Sequence, residues 1–440
     1  MPAVTEELTV LENLDLADSW WHVLNDPALE QLIELARSNN LDLRKAAYRV
    51  SEARSQDSIA VGNLFPQAQN VIFGKVDGRL AEKLTQSALE DTFDIWALGP
   101  LLSWELDVWG RIRRNADSSQ ATLEARVEDY RNVLVILIGD VASNYIQYRY
   151  NQTLVCSLEE SLKDQDESIE LLESRLQEGF ETRISVYSAR VARANTAAQI
   201  PPLRTAMRQA SNRICVLLGL PVQELPELEG VAPIPDVPAQ ITIGIPADLL
   251  RRRPDIRAAE RVVAAQSEQI GIALADLYPS FSLSGFFGST TSRARELFDE
   301  GSFTSIVVPG LSWKILNYRR LLGNVEVQDA RLQQAILDYQ QTVLKAGEEV
   351  DANLVALYNA RDQLNYTRES VVAGKKLLEL TELQYEKGEV GYDKVLDAHS
   401  KLARDERALA GVRQDLALHL VVVYKAMGGG WQSSDCFTCL

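Results

Sequence analysis

"LYPSFSLSGFFG", residues 277–288, decides how this chain is read. The segment before it has helical periodicity, and after Pro279 the period changes to two. Phe281, Leu283, Gly285 and Phe287 alternate with Ser280, Ser282, Ser284 and Phe286, which predicts a strand with one apolar face and one face of mostly small hydroxyls. Proline is poorly tolerated inside a helix and well tolerated where a strand begins, so Pro279 marks the junction. A helix-rich chain has interrupted itself for a strand whose polar face is almost all serine.

Working outward, the stretch belongs to a repeat. Residues 40–66, "NLDLRKAAYRVSEARSQDSIAVGNLFP", align without a gap on 253–279, "RPDIRAAERVVAAQSEQIGIALADLYP", with Asp42 on Asp255, Arg44 on Arg257 and Pro66 on Pro279. A slightly different offset then carries Pro100 onto Pro309, Trp104 onto Trp313, Gly179 onto Gly388 and Gly219 onto Gly428. Self-similarity at a fixed offset is the mark of a tandem structural repeat. Each half reads helix, strand, strand, helix, helix. The first repeat covers 1–220, with a hairpin at about 67–109, a long helix at 111–178 and a return helix at 186–218. A Pro-rich linker follows at 221–245. The second repeat covers 246–430, with a helix at 254–278, a hairpin at about 280–316, a long helix at 320–387 and a return helix at 393–427, and leaves a tail at 431–440.

Each hairpin strand is about the length that crosses a bilayer when tilted. Aromatic residues at strand ends suit the headgroup region, and the arginines of "GRIRRN" and "NYRRLLGN" can reach headgroups from just beyond. A hairpin buried inside a soluble sandwich is the competing reading. Four strands cannot close a barrel, so they must be capped or pooled with strands of other subunits. The long helices lack proline and would each be on the order of 100 Å long, which no compact domain needs.

Composition sets further bounds. The 440 residues, 46% apolar and 24% charged, describe an ordinary folded chain, and a net charge of −17 argues against nucleic acid as a main partner. No run approaches the ~20 apolar residues of a membrane-spanning helix. The acidic start, "MPAVTEELTVLENLDL", lacks the basic and apolar regions of a signal peptide, so a mature or truncated chain, or one that is not exported, is expected. Four cysteines, Cys156, Cys215, Cys436 and Cys439, make no disulfide framework at this length, and "CFTC" reads as an incidental tail. His22, His399 and His419 are too scattered for a metal site or a triad, and no phosphate loop or nucleophile elbow is present, so no cofactor, metal or catalysis is expected. "RRRPDIR", 251–257, reads as a helix start: Pro254 suits the first turn and Asp255 its positive end.

The pieces "WWHVLNDPALEQLIELARSNNLDLRKAAYRVSEAR", "LSWELDVWGRIRR", "IPADLLRRRPDIRAAERVVAAQSEQIGIALADLYPSFSLSG" and "GLSW" resemble the TolC-type outer-membrane factors, in the family's order and over nearly the whole chain. Within that family they resemble the lipoprotein branch serving tripartite efflux systems. The resemblance implies a mainly α protein with a membrane β-barrel: a homotrimer whose subunits pool four strands each into a twelve-stranded barrel continued by a long α-helical barrel. It implies an exit duct in the outer membrane of a Gram-negative bacterium, docked on a periplasmic adaptor and an inner-membrane RND-type transporter, passing drugs, metal ions or other small molecules. A lipid anchor is expected only of a precursor. Phe281, Leu283, Phe287, Trp313 and Trp104 are then expected to meet lipid, with Ser280, Ser282 and Ser284 lining the lumen. Gly179, Gly388, Val186 and Val395 are expected at the adaptor-docking tips. A periplasmic gate is expected around Tyr385, Asp397, Asp393, Lys394, Arg183, Ser185 and Arg190. In this chain Val390 stands where relatives carry a gating arginine, and Lys394 and Ser185 replace aspartates. Glu178 and Glu181 are further acids nearby. A soluble coiled-coil scaffold without a pore and a type I secretion duct are the alternative functions.

A ring of Asp397 carboxylates from three subunits would attract cations at the mouth. Asp397→Asn is therefore expected to lower cation selectivity or change conductance in planar bilayers, and an unchanged pore would count against the ring.

Overall fold

The computed structural model describes residues 19–79, 92–238 and 252–431. The N-terminal acidic segment, the hairpin residues between Arg79 and Thr92, the linker's end with Asp248, Arg251, and the tail with Cys436 and Cys439 lie outside the described residues. The elements, in chain order, are α1 (Pro27–Asn39), α2 (Leu41–Gly62), β1 (Ala68–Arg79), β2 (Thr92–Leu106), α3 (Arg111–Gln177), α4 (Arg183–Ala197), α5 (Ile200–Leu217), α6 (Pro254–Ala275), β3 (Ser280–Thr291), β4 (Phe303–Ser312), α7 (Tyr318–Glu386) and α8 (Tyr392–Ala426). The return helix of the first half, expected as one run over 186–218, is two helices. Pro201 and Pro202 lack the amide hydrogens an unbroken helix needs, so the chain stops at Ala197 and restarts at Ile200 with proline in the first turn. In the second half α8 runs 35 residues without interruption, because no proline stands there.

The chain divides into two compact units, one of Met1–Ala47, Asp129–Ile256 and Thr342–Leu440, the other of Tyr48–Glu128 and Arg257–Gln341. In the first unit, the Asp26 carboxylate caps α1 by accepting from the Ala28 and Leu29 amides at 3.0 and 3.2 Å. That fixes the apolar side of α1, with Leu29, Leu32, Ile33 and Ala36 against Ile138, Val141 and Leu420 in one core. Trp20 stacks on Tyr424 at 5.4 Å within it.

A buried cation fastens the linker to this core. Arg149 is only 2% exposed. Its guanidinium donates to the Glu227 carbonyl at 3.1 Å, the Gly230 carbonyl at 3.0 Å and Gln152 Oε1 at 2.9 Å, while its Nε reaches the Tyr145 hydroxyl at 3.1 Å. Tyr145 in turn donates to Asp26 Oδ2 at 2.7 Å, so the compensating carboxylate stands one hydroxyl away. Burial, reinforced by Asp26, pushes the Tyr145 hydroxyl's pKa far up, so it remains a donor at any working pH. The "RRRPDIR" arginine acts similarly: Arg253 clasps Asp255 and Glu349 and donates to the Ala426 carbonyl at 2.7 Å, closing the end of α8.

The second unit holds one antiparallel sheet of order β1-β2-β3-β4. Both repeats tie it to a helix end in the same way. Trp104 Nε1 donates to the Leu64 carbonyl and Trp313 Nε1 to the Leu277 carbonyl, each at 3.2 Å and each two residues before the strand-opening proline.

Removing Arg149 leaves the Glu227 carbonyl without its donor, while the Gly230 carbonyl keeps Gln152 Nε2 at 2.9 Å, so a loss of roughly 1–3 kcal/mol is the expectation for Arg149→Met. Denaturant melts should show it, together with earlier proteolysis within 226–238, whereas a loss below about 0.5 kcal/mol would mean the clasp is idle.

Candidate functional site

Two places collect chemistry: the faces of the sheet in the second unit, and the helical turns of the first. On the sheet, cross-strand register decides which side chains share a face. Trp104 pairs with Leu283 and Leu283 with Pro309; Leu106 pairs with Phe281 and Phe281 with Leu311. This apolar face also carries Val71, Phe73, Trp96 and Leu98. Trp96 and Trp104 are about 27 Å apart along β2 at ~3.4 Å per residue, and strand tilt brings that near the apolar band of a membrane barrel. Beyond Trp96 the face turns charged: Lys75 Nζ lies 2.6 Å from Asp77 and 3.0 Å from Asp94. Gly285 sits on this face beneath the Phe287 ring, which fills the space its missing side chain leaves.

Ser280, Ser282 and Ser284 lie on the opposite face, with Ser284 pairing Ser103 and their hydroxyls 3.2 Å apart. The backbone shows which face is concave. A Cβ added to Gly99 would stand 2.3 Å from the Phe287 carbonyl oxygen, and one added to Gly288 would stand 2.2 Å from that of Leu98. Both point into the serine face, so the strands curl toward it there and only glycine fits. At this level the apolar face is thus convex and the serine face concave, as a barrel wall requires. Trp104 is half-buried and Trp313 exposed, and their spoken-for indole N–H groups add a stapling role that alternation alone does not reveal.

The turns after α3 and α7 repeat each other atom for atom. Gly179 and Gly388 both take the left-handed backbone, with φ of 82° and 75°. The amides of Phe180 and Glu389 bond back to the carbonyls of Arg175 and Gln384, each at 2.9 Å. After the first turn, Thr182 caps α4 by accepting from the Ser185 amide at 3.2 Å.

A small cluster joins the two turns: Leu172, Val186, Ala189, Tyr392 and Val395 are buried together, with Tyr385, Leu176 and Leu378 against them. Val186 and Val395, expected as adaptor-docking residues, are 5% and 4% exposed. Their side chains pack between the turns and hold them to one another. The apolar side chains displayed on α4 and its turn are Phe180, Ile184, Tyr187 and Val191, from 61% to 79% exposed. They lie four, three and four residues apart, the spacing of a helical stripe.

Of the expected gate residues, Tyr385 is the one tied across the turns. Its hydroxyl donates to Glu181 Oε1 at 3.1 Å, its ring meets Tyr392 edge-on at 5.3 Å, and the Arg175 guanidinium sits 5.2 Å above it. Burial works against ionised Glu181, but the Thr182 amide and the Ser185 and Tyr385 hydroxyls that bond it, with Arg175 nearby, hold its carboxyl below the usual range. Burial pushes the Tyr385 and Tyr392 hydroxyls up. Lys394 lies 3.7 Å from Asp393 and 3.9 Å from Asp397, all largely exposed neighbours on α8, and such pairs contribute little. Arg190 binds Glu173 at 2.7 Å along the first hairpin, and Arg183 and Glu178 face solvent. Among the described residues no cluster with metal-ligand geometry occurs.

The sequence pattern of the family described as "Outer membrane efflux protein" matches residues 32–220 and 245–429, one match per repeat. The pyoverdine export outer membrane protein OpmQ of Pseudomonas putida is 32% identical over 423 residues, spanning 94% of this chain and 89% of that one. The toluene efflux pump outer membrane protein TtgI, also of Pseudomonas putida, is 32% identical over 413 residues, 93% and 87% of the two chains. Among solved structures, the outer-membrane channel OprN superposes with a TM-score of 0.87 at 32% identity, covering 94% of this chain and 93% of that one.

Because Glu181 carries a lowered folded pKa, its contribution is present above the ordinary carboxylate range and is lost as pH falls through the folded value. Protection from hydrogen exchange at 176–183 and 385–391, measured against the intrinsic rate at each pH, is therefore expected to fall in acid, and Tyr385→Phe, losing a bond worth about 1 kcal/mol, should lower it roughly fivefold at neutral pH. Equal exchange in both chains would show the Tyr385–Glu181 bond does not hold the turns.

Proposed function

The chain belongs to the outer membrane efflux protein family and is an outer-membrane exit duct; from that premise we propose that three copies assemble into the conducting unit. Each gives its four strands to one twelve-stranded barrel and its long helices to a tunnel. The observation that carries the proposal is the sheet, which is apolar on its convex face, serine-lined on its concave face and open at both edges. Unpaired strand edges cannot stand in hydrocarbon, because each orphaned backbone group costs several kcal/mol there. β4 of one copy therefore takes β1 of the next until the ring closes. Phe281, Leu283, Phe287, Trp104 and Trp313 meet lipid, and Ser280, Ser282 and Ser284 meet water.

The duct works with a periplasmic adaptor and an inner-membrane transporter of the RND type. The relatives named for pyoverdine export and toluene efflux favour small organic molecules as cargo. The Gly179 and Gly388 turns with the stripe Phe180, Ile184, Tyr187 and Val191 form the adaptor-docking surface, and the apolar cluster between the turns, aided by the bond from Tyr385 to Glu181, holds the tip shut. The reading assigns conduction to this chain and no chemical step.

Electron microscopy of the detergent-purified protein tests the assembly. A hollow three-fold particle supports it, and a monomer or a solid rod overturns it. For docking, Phe180→Ser combined with Ile184→Ser should reduce efflux in cells while leaving the conductance of the isolated channel unchanged; full efflux would move the docking surface elsewhere.

A further inference from the structure

The concave face of the sheet is not uniformly small and polar. One cross-strand row carries Asn70, Leu101, Phe286 and Ile306: Asn70 pairs with Leu101, Leu101 with Phe286 and Phe286 with Ile306. Leu101 and Ile306 remain 39% and 51% exposed in the chain. On the helix-linked side, the next row on this face places Ser103 and Ser284 at the two central strands. On the other side stand Gly99, Gly288 and Thr304. The flanking rows hold one large apolar residue each, Val308 and Ile72, whereas the central row holds three. Among the rows that cross all four strands, side-chain bulk on this face therefore peaks in the central one, beside the glycine pair where β2 and β3 curl inward; further out, where β1 and β2 alone pair, Val76 and Ile95 add two more apolar residues.

Resting on the reading of this face as the lumen, we propose that Leu101, Phe286 and Ile306 form an apolar collar that is the narrowest level of the barrel and sets the size of solute the barrel passes. Three copies supply nine large apolar side chains to a ring of twelve strand positions. The collar offers no groups to replace a hydration shell, so bulky hydrated solutes are held back there while organic surfaces slide past. It belongs to the barrel, apart from the helical turns, and limits size whether the tip is open or shut.

The test probes the two sides of the collar separately in intact cells. Ser282→Cys lies on the helix-linked side and Thr290→Cys on the far side, and each is exposed to external maleimide-polyethylene glycols of graded size, scored over the parent chain. The expected result is a smaller size limit at 282 than at 290. Adding Leu101→Ser, Phe286→Ser and Ile306→Ser should shift the limit at 282 up toward that at 290. If that chain fails to reach the membrane, Phe286→Trp serves instead and should shift the limit at 282 down. Equal limits at the two positions, or no shift with either variant, overturn the collar and leave the duct standing. Labelling at neither position by the smallest reagent overturns the collar and the lumen assignment together.

Discussion

The structure depends on the two unpaired edges of a four-stranded sheet. β2 and β3 spend their backbone hydrogen bonds on neighbours within the chain, while β1 and β4 leave a row open on each side. In water an edge is a hazard of aggregation, and in lipid it is a cost no side chain can offset. The side chains say which solvent the sheet is built for. Val71, Phe73, Val307 and Leu311 are exposed on the convex face, where a soluble protein would bury or replace them. A chain that exposes apolar residues outward and keeps two edges open has left its last folding step to assembly.

The duplication explains why the remaining devices come in pairs. A helix must end where a membrane strand begins, and in both halves a proline ends it while a tryptophan indole, across the hairpin, satisfies a carbonyl that the ending helix leaves unpaired. A helix must also reverse at the other end, and in both halves a left-handed glycine does it with the same return bond. The halves differ where one position has one occupant. Glu181 of the first turn corresponds to Val390 of the second, so the first turn supplies an acceptor and the second, through Tyr385, the donor. An asymmetric bond between near-identical turns is available only because the two copies of the repeat have diverged.

Much of this was legible in the sequence because it rests on periodicity and chain-stopping residues. Pro66, Pro279, Gly179, Gly388 and the alternation after 279 mark boundaries by local stereochemistry, which needs no tertiary knowledge. The break at 198–199 is equally local, but the helical pattern continues through Pro201 and Pro202 and masks it. What the sequence withheld were facts of direction. Val186 and Val395 follow their turns at equivalent places and look like tip residues, yet the face they present is settled by the packing of one hairpin on the other. Arg149 in "NYIQYRYNQ" reads as a solvated helix arginine until the linker carbonyls of Glu227 and Gly230 arrive from about 80 residues away. Concavity of the serine face depends on how closely Gly99 approaches Gly288, which no alternation encodes.

The two turns show which forces hold them to one another. The exposed pairs of Lys394 with Asp393 and Asp397 are screened by water and salt, and contribute about 0–1 kcal/mol each. One bond from Tyr385 to Glu181 adds an amount of the same order. The larger part of what holds the turns together comes from the apolar cluster of Leu172, Val186, Tyr392 and Val395, since burying such side chains is worth roughly 1.5–3 kcal/mol apiece. A charge reversal by itself would therefore not part the turns, and whatever separates them has to replace apolar contact with apolar contact. The chain offers a surface of that kind next to the cluster: Ile184 and Tyr187 flank Val186 on α4 and face outward while Val186 faces in. A force on that outward stripe would therefore act on the same helix whose inner face keeps the turns together.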